Sequence, residues 1–228
     1  FATSPEDAAG LWQIMPATGR SLGLDQGWWY DGRRYVRAST RAALDYLEKH
    51  HASFDGDWLL ALAAYNSGKG RVLRARARNE QLGKPTDYWS LELPRETRKY
   101  VPRLIALTQI IAYPESYSME IPAVLNQPAF AAAATGGQIE MARAAELAAV
   151  EMHELEALNP GQLRWATAPD GPQELLLPIG SETTFAEGIA GLTEADRVRW
   201  KHYKIRRGDS LIKVARQFNT QVGLLREV

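Results

Sequence analysis

Any chemistry in this chain has to come from carboxylates, aromatic rings, amides and a few imidazoles, because its 228 residues include no Cys and only four His. A Cys nucleophile, a thiolate metal site and a disulfide are all excluded. His50 and His51 are adjacent, so on a helix they point about 100° apart and share an ion poorly. They read as solvated polar residues at a helix end, while His153 and His202 stand alone. No metal and no cofactor is expected. The string Gly68-Lys69-Gly70-Arg71-Val72 lacks the spacing and the Lys-Ser/Thr ending of a phosphate-binding loop, so nucleotide binding is not expected either.

Carbohydrate chemistry has better support. Seven Trp and nine Tyr are present, and Trp12, Trp28, Trp29, Tyr30, Trp58, Tyr65, Trp89 and Tyr100 fall in the first half. Their flat faces suit sugar rings, and equally suit a core. Breaking a glycosidic bond needs a carboxylic acid to protonate the leaving oxygen, and usually a second carboxylate or an internal nucleophile. Glu6, Asp7 and Glu96 are the candidates, but none stands in an apolar stretch that would hold it protonated. The residues alone leave the assignment open at this point.

The elements that must position these groups are helical in the first half. Leu11, Trp12, Ile14 and Met15 have helical spacing that Pro16 and Gly19 disturb, which predicts a short helix with a bend or break. A second helix follows, with Ser39 or Thr40 as N-cap and Ala43, Leu44 and Leu47 on one face. Asp57 caps a third, apolar helix that Asn66-Ser67-Gly68 interrupts before an Arg-rich fourth. A last helix carries Tyr100, Leu104, Leu107 and Ile111, and Pro114 closes it. Residues 113–130 hold three prolines and no period, which marks a connector. Beyond it come two short helices, an Asn159-Pro160-Gly161 stop and a strand over Leu175–Leu177. Near the end a strand precedes Gly208-Asp209-Ser210, where Asp209 or Ser210 caps a helix turning Leu211, Val214, Ala215 and Phe218 inward. These last two regions look like divergent copies of one small unit.

The bulk properties are those of a globular protein: 45% hydrophobic residues, 24% charged, and 27 Lys and Arg against 27 Asp and Glu. Balanced charge argues neither for nucleic acid nor for an anionic membrane surface. No apolar run approaches the length of a membrane span. Residue 1 is Phe rather than Met, so the chain reads as a processed or truncated piece.

Three strings together carry a family resemblance: Gly10-Leu11-Trp12-Gln13-Ile14-Met15-Pro16, Ala63-Ala64-Tyr65-Asn66-Ser67-Gly68 and Glu96-Thr97-Arg98-Lys99-Tyr100-Val101-Pro102. Residues 1–125 resemble the catalytic domain of the lytic transglycosylases of the soluble, goose-type-lysozyme-like family. The two later segments are similar to lysin motifs (LysM), βααβ modules that bind N-acetylglucosamine-containing glycans. The resemblance implies a mainly α fold: a lysozyme-like helical catalytic domain over 1–125, a degenerate LysM-like module over 126–185, a linker over 186–199 and a truncated LysM module over 200–228. It implies cleavage of the β-1,4 bond between N-acetylmuramic acid and N-acetylglucosamine without water, leaving a 1,6-anhydro end. A single Glu would serve first as acid and then as base toward the muramoyl 6-hydroxyl.

Matching the motif residue by residue places that Glu before Phe1, so the chain taken literally is expected to be inactive; Glu6 reads as a surface residue. Ser4 matches the serine expected near the substrate N-acetyl group, with capping of a helix beginning near Glu6 as its other role. Gln13 and Met15 match groove-lining positions. Tyr65 would orient the acid, Asn66 would contact glycan or end its helix, and Tyr100 would close the site or sit in the core. Tyr35 stands where family members tend to have Asp, which touches only a local loop contact. Peptidoglycan strands are the expected partner, with no nucleic acid. The expected setting is a monomer in a Gram-negative periplasm, held at the outer membrane only by an N-terminal lipid outside the sequence shown. A non-catalytic peptidoglycan binder and a lysozyme-type hydrolase are the alternatives.

Overall fold

In a computed structural model of the chain, the structure describes residues 3–198, 203–218 and 222–226. The first half is built from α1 (Pro16–Ser21), α2 (Val36–Ser53), α3 (Trp58–Ser67), α4 (Lys69–Gln81) and α5 (Arg95–Ala112). Its core gathers Phe54, Leu60, Ala63, Ala64, Val72, Tyr88, Leu91, Leu93 and Val101. Alanines at 61, 63 and 64 are fully buried, and they let α3 run close against its neighbours α2, α4 and α5. Asp57 caps α3 as its sequence predicts, its Oδ1 accepting from the Leu59 and Leu60 amides at 2.8 and 3.0 Å. Gly68, at φ 89°, turns the chain from α3 into α4.

Three expectations need correction here. No helix spans Leu11 to Met15. Ala9 and Ile14 instead exchange both backbone hydrogen bonds at 3.1 Å, closing a tight loop, and Pro16 opens α1 instead of breaking a helix. Ser39 and Thr40 do not cap α2, which begins at Val36 after the extended Tyr35; the Ser39 amide bonds the Tyr35 carbonyl at 2.9 Å and Ser39 is buried. The C-terminal half of α5 does not bury its apolar stripe, since Leu107 and Ile111 are exposed. Pro114 does close the element, opening a 3-10 turn that runs to Tyr117.

The second unit is a βααβ module: β1 (Phe130–Ala134), α6 (Met141–Ala148), α7 (Met152–Leu158) and β2 (Glu174–Pro178), followed by α8 (Glu182–Ala190) and α9 (Glu194–Arg197). β1 and β2 are antiparallel, with Phe130 opposite Pro178 and Ala134 opposite Glu174. Ile139, Met141, Leu155, Leu175, Leu177 and Phe185 fill its core. Asn159, buried where α7 stops, bonds both the amide and the carbonyl of Leu176 at 2.8 Å, satisfying the open edge of β2.

At the end of the chain, α10 (Leu211–Gln217) and α11 (Val222–Arg226) are present, and Ser210 caps α10 through the Lys213 amide. Val214 and Ala215 are buried, but Leu211 and Phe218 are exposed. The strand expected before Gly208 is not seen among described residues 203–206. His202 lies outside the described residues.

Candidate functional site

The loop over residues 3–15 is the centre of the site, and its shape is set by a buried ion pair. The Arg33 guanidinium grips Asp31 through two bonds of 3.0 and 2.8 Å. Its remaining donors reach the carbonyls of Asp7 at 2.6 Å and Ile14 at 3.1 Å. One planar cation thus fixes both limbs of the loop, a task the five-donor fork of Arg suits and Lys does not. Gly10, at φ 77°, passes so close that an added Cβ would lie 2.0 Å from the Arg33 carbonyl oxygen.

Within this loop Gln13 has a left-handed backbone, φ 49°, and its side-chain amide donates to the Gly10 carbonyl at 2.9 Å. Gln13 and Met15 are both exposed on the outer surface of the loop. Trp12, just before Gln13, is anchored by its indole N–H, which donates to Thr40 Oγ1 at 2.8 Å. Ser4 does not cap a helix, because none begins near Glu6. Its hydroxyl accepts from the Glu6 and Ala8 amides at 3.2 and 3.1 Å and so stabilises a turn.

Helices α3 and α5 bring the other candidates to this loop. The Tyr65 hydroxyl donates to the Trp12 carbonyl at 2.9 Å, and burial, with Tyr100 and Tyr46 nearby, raises its pKa well above the usual phenol value. Tyr100 is half-buried, and burial likewise raises its pKa. Asn66 is held on both ends of its amide: its oxygen accepts from Thr97 Oγ1 at 2.8 Å and its nitrogen donates to Glu96 at 3.3 Å. It therefore ties α3 to α5 and presents the exposed Glu96 carboxylate beside it. The structure joins Trp12, Gln13, Tyr65 and Tyr100 in one neighbourhood and Asn66, Thr97 and Glu96 in the next. Glu6 is exposed, and Asp7 is 65% exposed, 3.7 Å from Arg33.

Reading single residues missed Asp31, Arg33, Thr40 and Thr97. Their signal is faint, because each acts through a partner distant in sequence or through backbone carbonyls. His50 was misread as solvated. It is 2% exposed, packs against Tyr46 with ring centroids 4.1 Å apart and planes tilted by 57°, and neither ring nitrogen has a hydrogen-bond partner. Among the described residues no three His, Cys, Asp or Glu stand close enough to hold a metal ion.

Tyr35 makes more than a local loop contact. It is buried, and its hydroxyl donates to Glu174 of β2, which Arg37 also approaches at 3.3 Å. Between the two units the Asp31 amide bonds the Gly161 carbonyl, and the Leu163 amide bonds the Trp29 carbonyl, both at 2.9 Å. Tyr30, Tyr35, Ala168 and Leu176 form a shared apolar cluster.

Comparison with known proteins bears on both units. Residues 1–87 match the family described as the transglycosylase SLT domain. Residues 130–190 match the LysM-like domain of lytic transglycosylase MltD. The chain carries a transglycosylase SLT domain joined to an MltD-type LysM-like domain. It is 38% identical over 224 residues to the membrane-bound lytic murein transglycosylase D of Escherichia coli (strain K12), covering 94% of this chain and 50% of that protein. It is also 38% identical over 130 residues to a putative tributyltin chloride resistance protein of Alteromonas sp. (strain M-1), covering 57% of this chain and 61% of that protein. The chain spans about half the length of the transglycosylase D it matches. Ser4, Gln13, Met15, Tyr65 and Asn66 fall within the matched SLT residues, and Tyr100 lies beyond them on α5, which packs on α3. The LysM-like match takes in β1, α6, α7, β2 and α8.

Proposed function

We propose that this chain is the glycan-cleaving and glycan-holding part of a peptidoglycan lytic transglycosylase. The observation that carries the reading is that Tyr65 of α3, with Tyr100 of α5 nearby, reaches the Trp12 carbonyl in the exposed loop that carries Gln13 and that a buried Arg holds. In this mechanism a motif glutamate ahead of the Ala2-x-Ser4 element protonates the oxygen between N-acetylmuramic acid and N-acetylglucosamine. The C–O bond breaks, the muramoyl 6-hydroxyl attacks the anomeric carbon, and the same carboxylate takes that hydroxyl's proton. No water is consumed, and a 1,6-anhydro end forms.

Tyr65 and Tyr100 border the reacting sugar, and both remain protonated, which suits donation of hydrogen bonds and excludes service as a base near neutral pH. Gln13 and Met15 line the groove, with the Gln13 amide turned toward sugar on substrate entry. Ser4 stands near the N-acetyl group and Asn66 holds the opposite wall. The LysM-like domain raises the local concentration of polymer at the groove. The enzyme acts as a monomer in a Gram-negative periplasm, anchored at the outer membrane by an N-terminal lipid. No helix among the described residues is long and apolar enough to cross a membrane.

Mass analysis of digested murein tests the reading. Products ending in 1,6-anhydromuramic acid support it, reducing muramic acid ends would assign a hydrolase, and binding without any product would assign a non-catalytic binder.

A further inference from the structure

The SLT and LysM-like domains meet at a surface that neither would have alone. A hairpin over residues 26–31, closed by the Gly27 amide on the Tyr30 carbonyl at 2.8 Å, carries Trp28 and Trp29 at its tip. Its base is tied to the groove, since the Gln26 amide donates to the Pro16 carbonyl at 2.9 Å, directly after Met15. The facing segment of the LysM-like domain contributes Arg164 and Trp165. Trp28 packs edge-on against Trp29, with centroids 4.7 Å apart at 89°, and against Trp165 at 5.6 Å and 78°. The Arg164 guanidinium carbon lies 4.3 Å from the centre of the Trp28 ring.

Trp28 is nonetheless 51% exposed. Two indoles meeting it at near right angles and a guanidinium over its ring hold Trp28 in one orientation, with about half of its surface in water. The Arg164 guanidinium lies over one face of that ring: it donates to the carbonyl of its neighbour Leu163 at 3.2 Å, its Nε is buried, and the half-buried side chain keeps its charge at the rim of the indole plate. Among the described residues it forms no ion pair with a carboxylate.

We propose that Trp28 and Arg164 form a second glycan site, composed by the two domains together, that takes a sugar bearing a carboxylate. The C–H face of a pyranose stacks on the electron-rich face of an indole, and a guanidinium suits a carboxylate. Muramic acid, with its lactyl ether and attached stem, offers both features on one ring, whereas a neutral amino sugar offers only the first. The hairpin runs from the groove wall to this plate, so a strand leaving the groove past Met15 meets it next. The site rests on the peptidoglycan reading given above and adds to it a preference for the anionic sugar away from the point of cleavage.

The test measures dissociation constants by calorimetry for the protein with the motif glutamate ahead of Ala2 in place and for its Trp28→Ala, Trp28→Phe and Arg164→Ala variants. Two probes are used: soluble murein glycan strands, and neutral N-acetylglucosamine oligomers. Trp28→Ala is expected to weaken binding of both about tenfold, and Trp28→Phe, which keeps a flat ring and reports on folding, to retain most of it. Arg164→Ala is expected to weaken only the murein strands, also about tenfold, with the difference shrinking as salt is added. Variants that bind both probes as tightly as the parent, while the parent still forms anhydro ends, overturn this site and leave the functional reading standing. A parent that neither binds nor cleaves murein overturns both.

Discussion

Arg33 is the residue on which the groove loop depends most. Its charge is buried, 6% exposed at the side chain, and is neutralised by Asp31 at 2.8 Å. Removing one member of such a pair leaves the other charged in a low-dielectric site, so Asp31→Asn or Arg33→Met is expected to cost about 3–5 kcal/mol in urea unfolding. The double variant should lose less than the sum, because it strands neither charge. His50 makes the opposite kind of prediction. Burial, followed by the positive charges of Lys69 and Lys49, lowers its pKa, so the folded state favours the neutral ring. Its contribution is fully present above the unfolded value of about 6.5 and is lost as pH falls through that value toward the lower folded one. His50→Phe, which keeps a ring against Tyr46 and removes two unpartnered nitrogens, should therefore gain stability over the parent as the pH of thermal melts is lowered from about 7.5 to about 5. A gap that stays constant across that range would reject the assignment.

At the scale of elements, the contact between α3 and the loop is what makes a groove. Tyr65→Phe deletes the hydroxyl that reaches the Trp12 carbonyl at 2.9 Å, at an expected cost of about 1 kcal/mol to stability. In the proposed mechanism it also reduces cleavage of murein, visible as a lower kcat with little change in KM, because the loop shifts where the reacting sugar sits. The loop has its own requirement at Gly10. A methyl group there would meet the Arg33 carbonyl at 2.0 Å on a backbone of φ 77°, so Gly10→Ala should destabilise by ~2 kcal/mol or more in the same urea experiment. These elements were legible in unequal measure. The Asp57 cap, the Gly68 break and the Leu175–Leu177 strand follow from local rules. β1 does not, because Phe130 is followed by four alanines, which have little strand preference of their own and pair only because β2 lies beside them. The loop over residues 9–14 imitates a helix in its apolar spacing, and only Arg33, some twenty residues on, decides otherwise.

For the whole molecule, the junction matters more than either domain's boundary. The LysM-like domain has its own core around Leu155, Leu175 and Phe185, and the SLT domain has another around Phe54 and Val101. They are joined by the Tyr35 to Glu174 contact, by two backbone bonds and by a shared apolar cluster. Gly161 is the tightest point, where an added Cβ would lie 3.0 Å from the Tyr30 ring and 3.1 Å from the Asp31 carbonyl. Gly161→Val is expected to pry the domains apart while leaving both cores intact. Differential calorimetry should then resolve two transitions where the parent gives one; a single transition at lower temperature would show instead that the domains cannot fold separately.

The sequence by itself determined the helical class, the Asp57 cap, the Gly68 break, and the motifs around Gln13, Tyr65 and Tyr100, because these are written in neighbouring residues and in strings the family shares. Only the tertiary structure decided what the groove loop is made of. A run with helical spacing became a tight loop because a guanidinium from the turn ahead of α2 satisfies its carbonyls. Tyr35, which reads as a loop residue, became a tether because Glu174, 139 residues away, arrives beside it. Contacts of that reach depend on how two domains dock, and no local propensity carries that information.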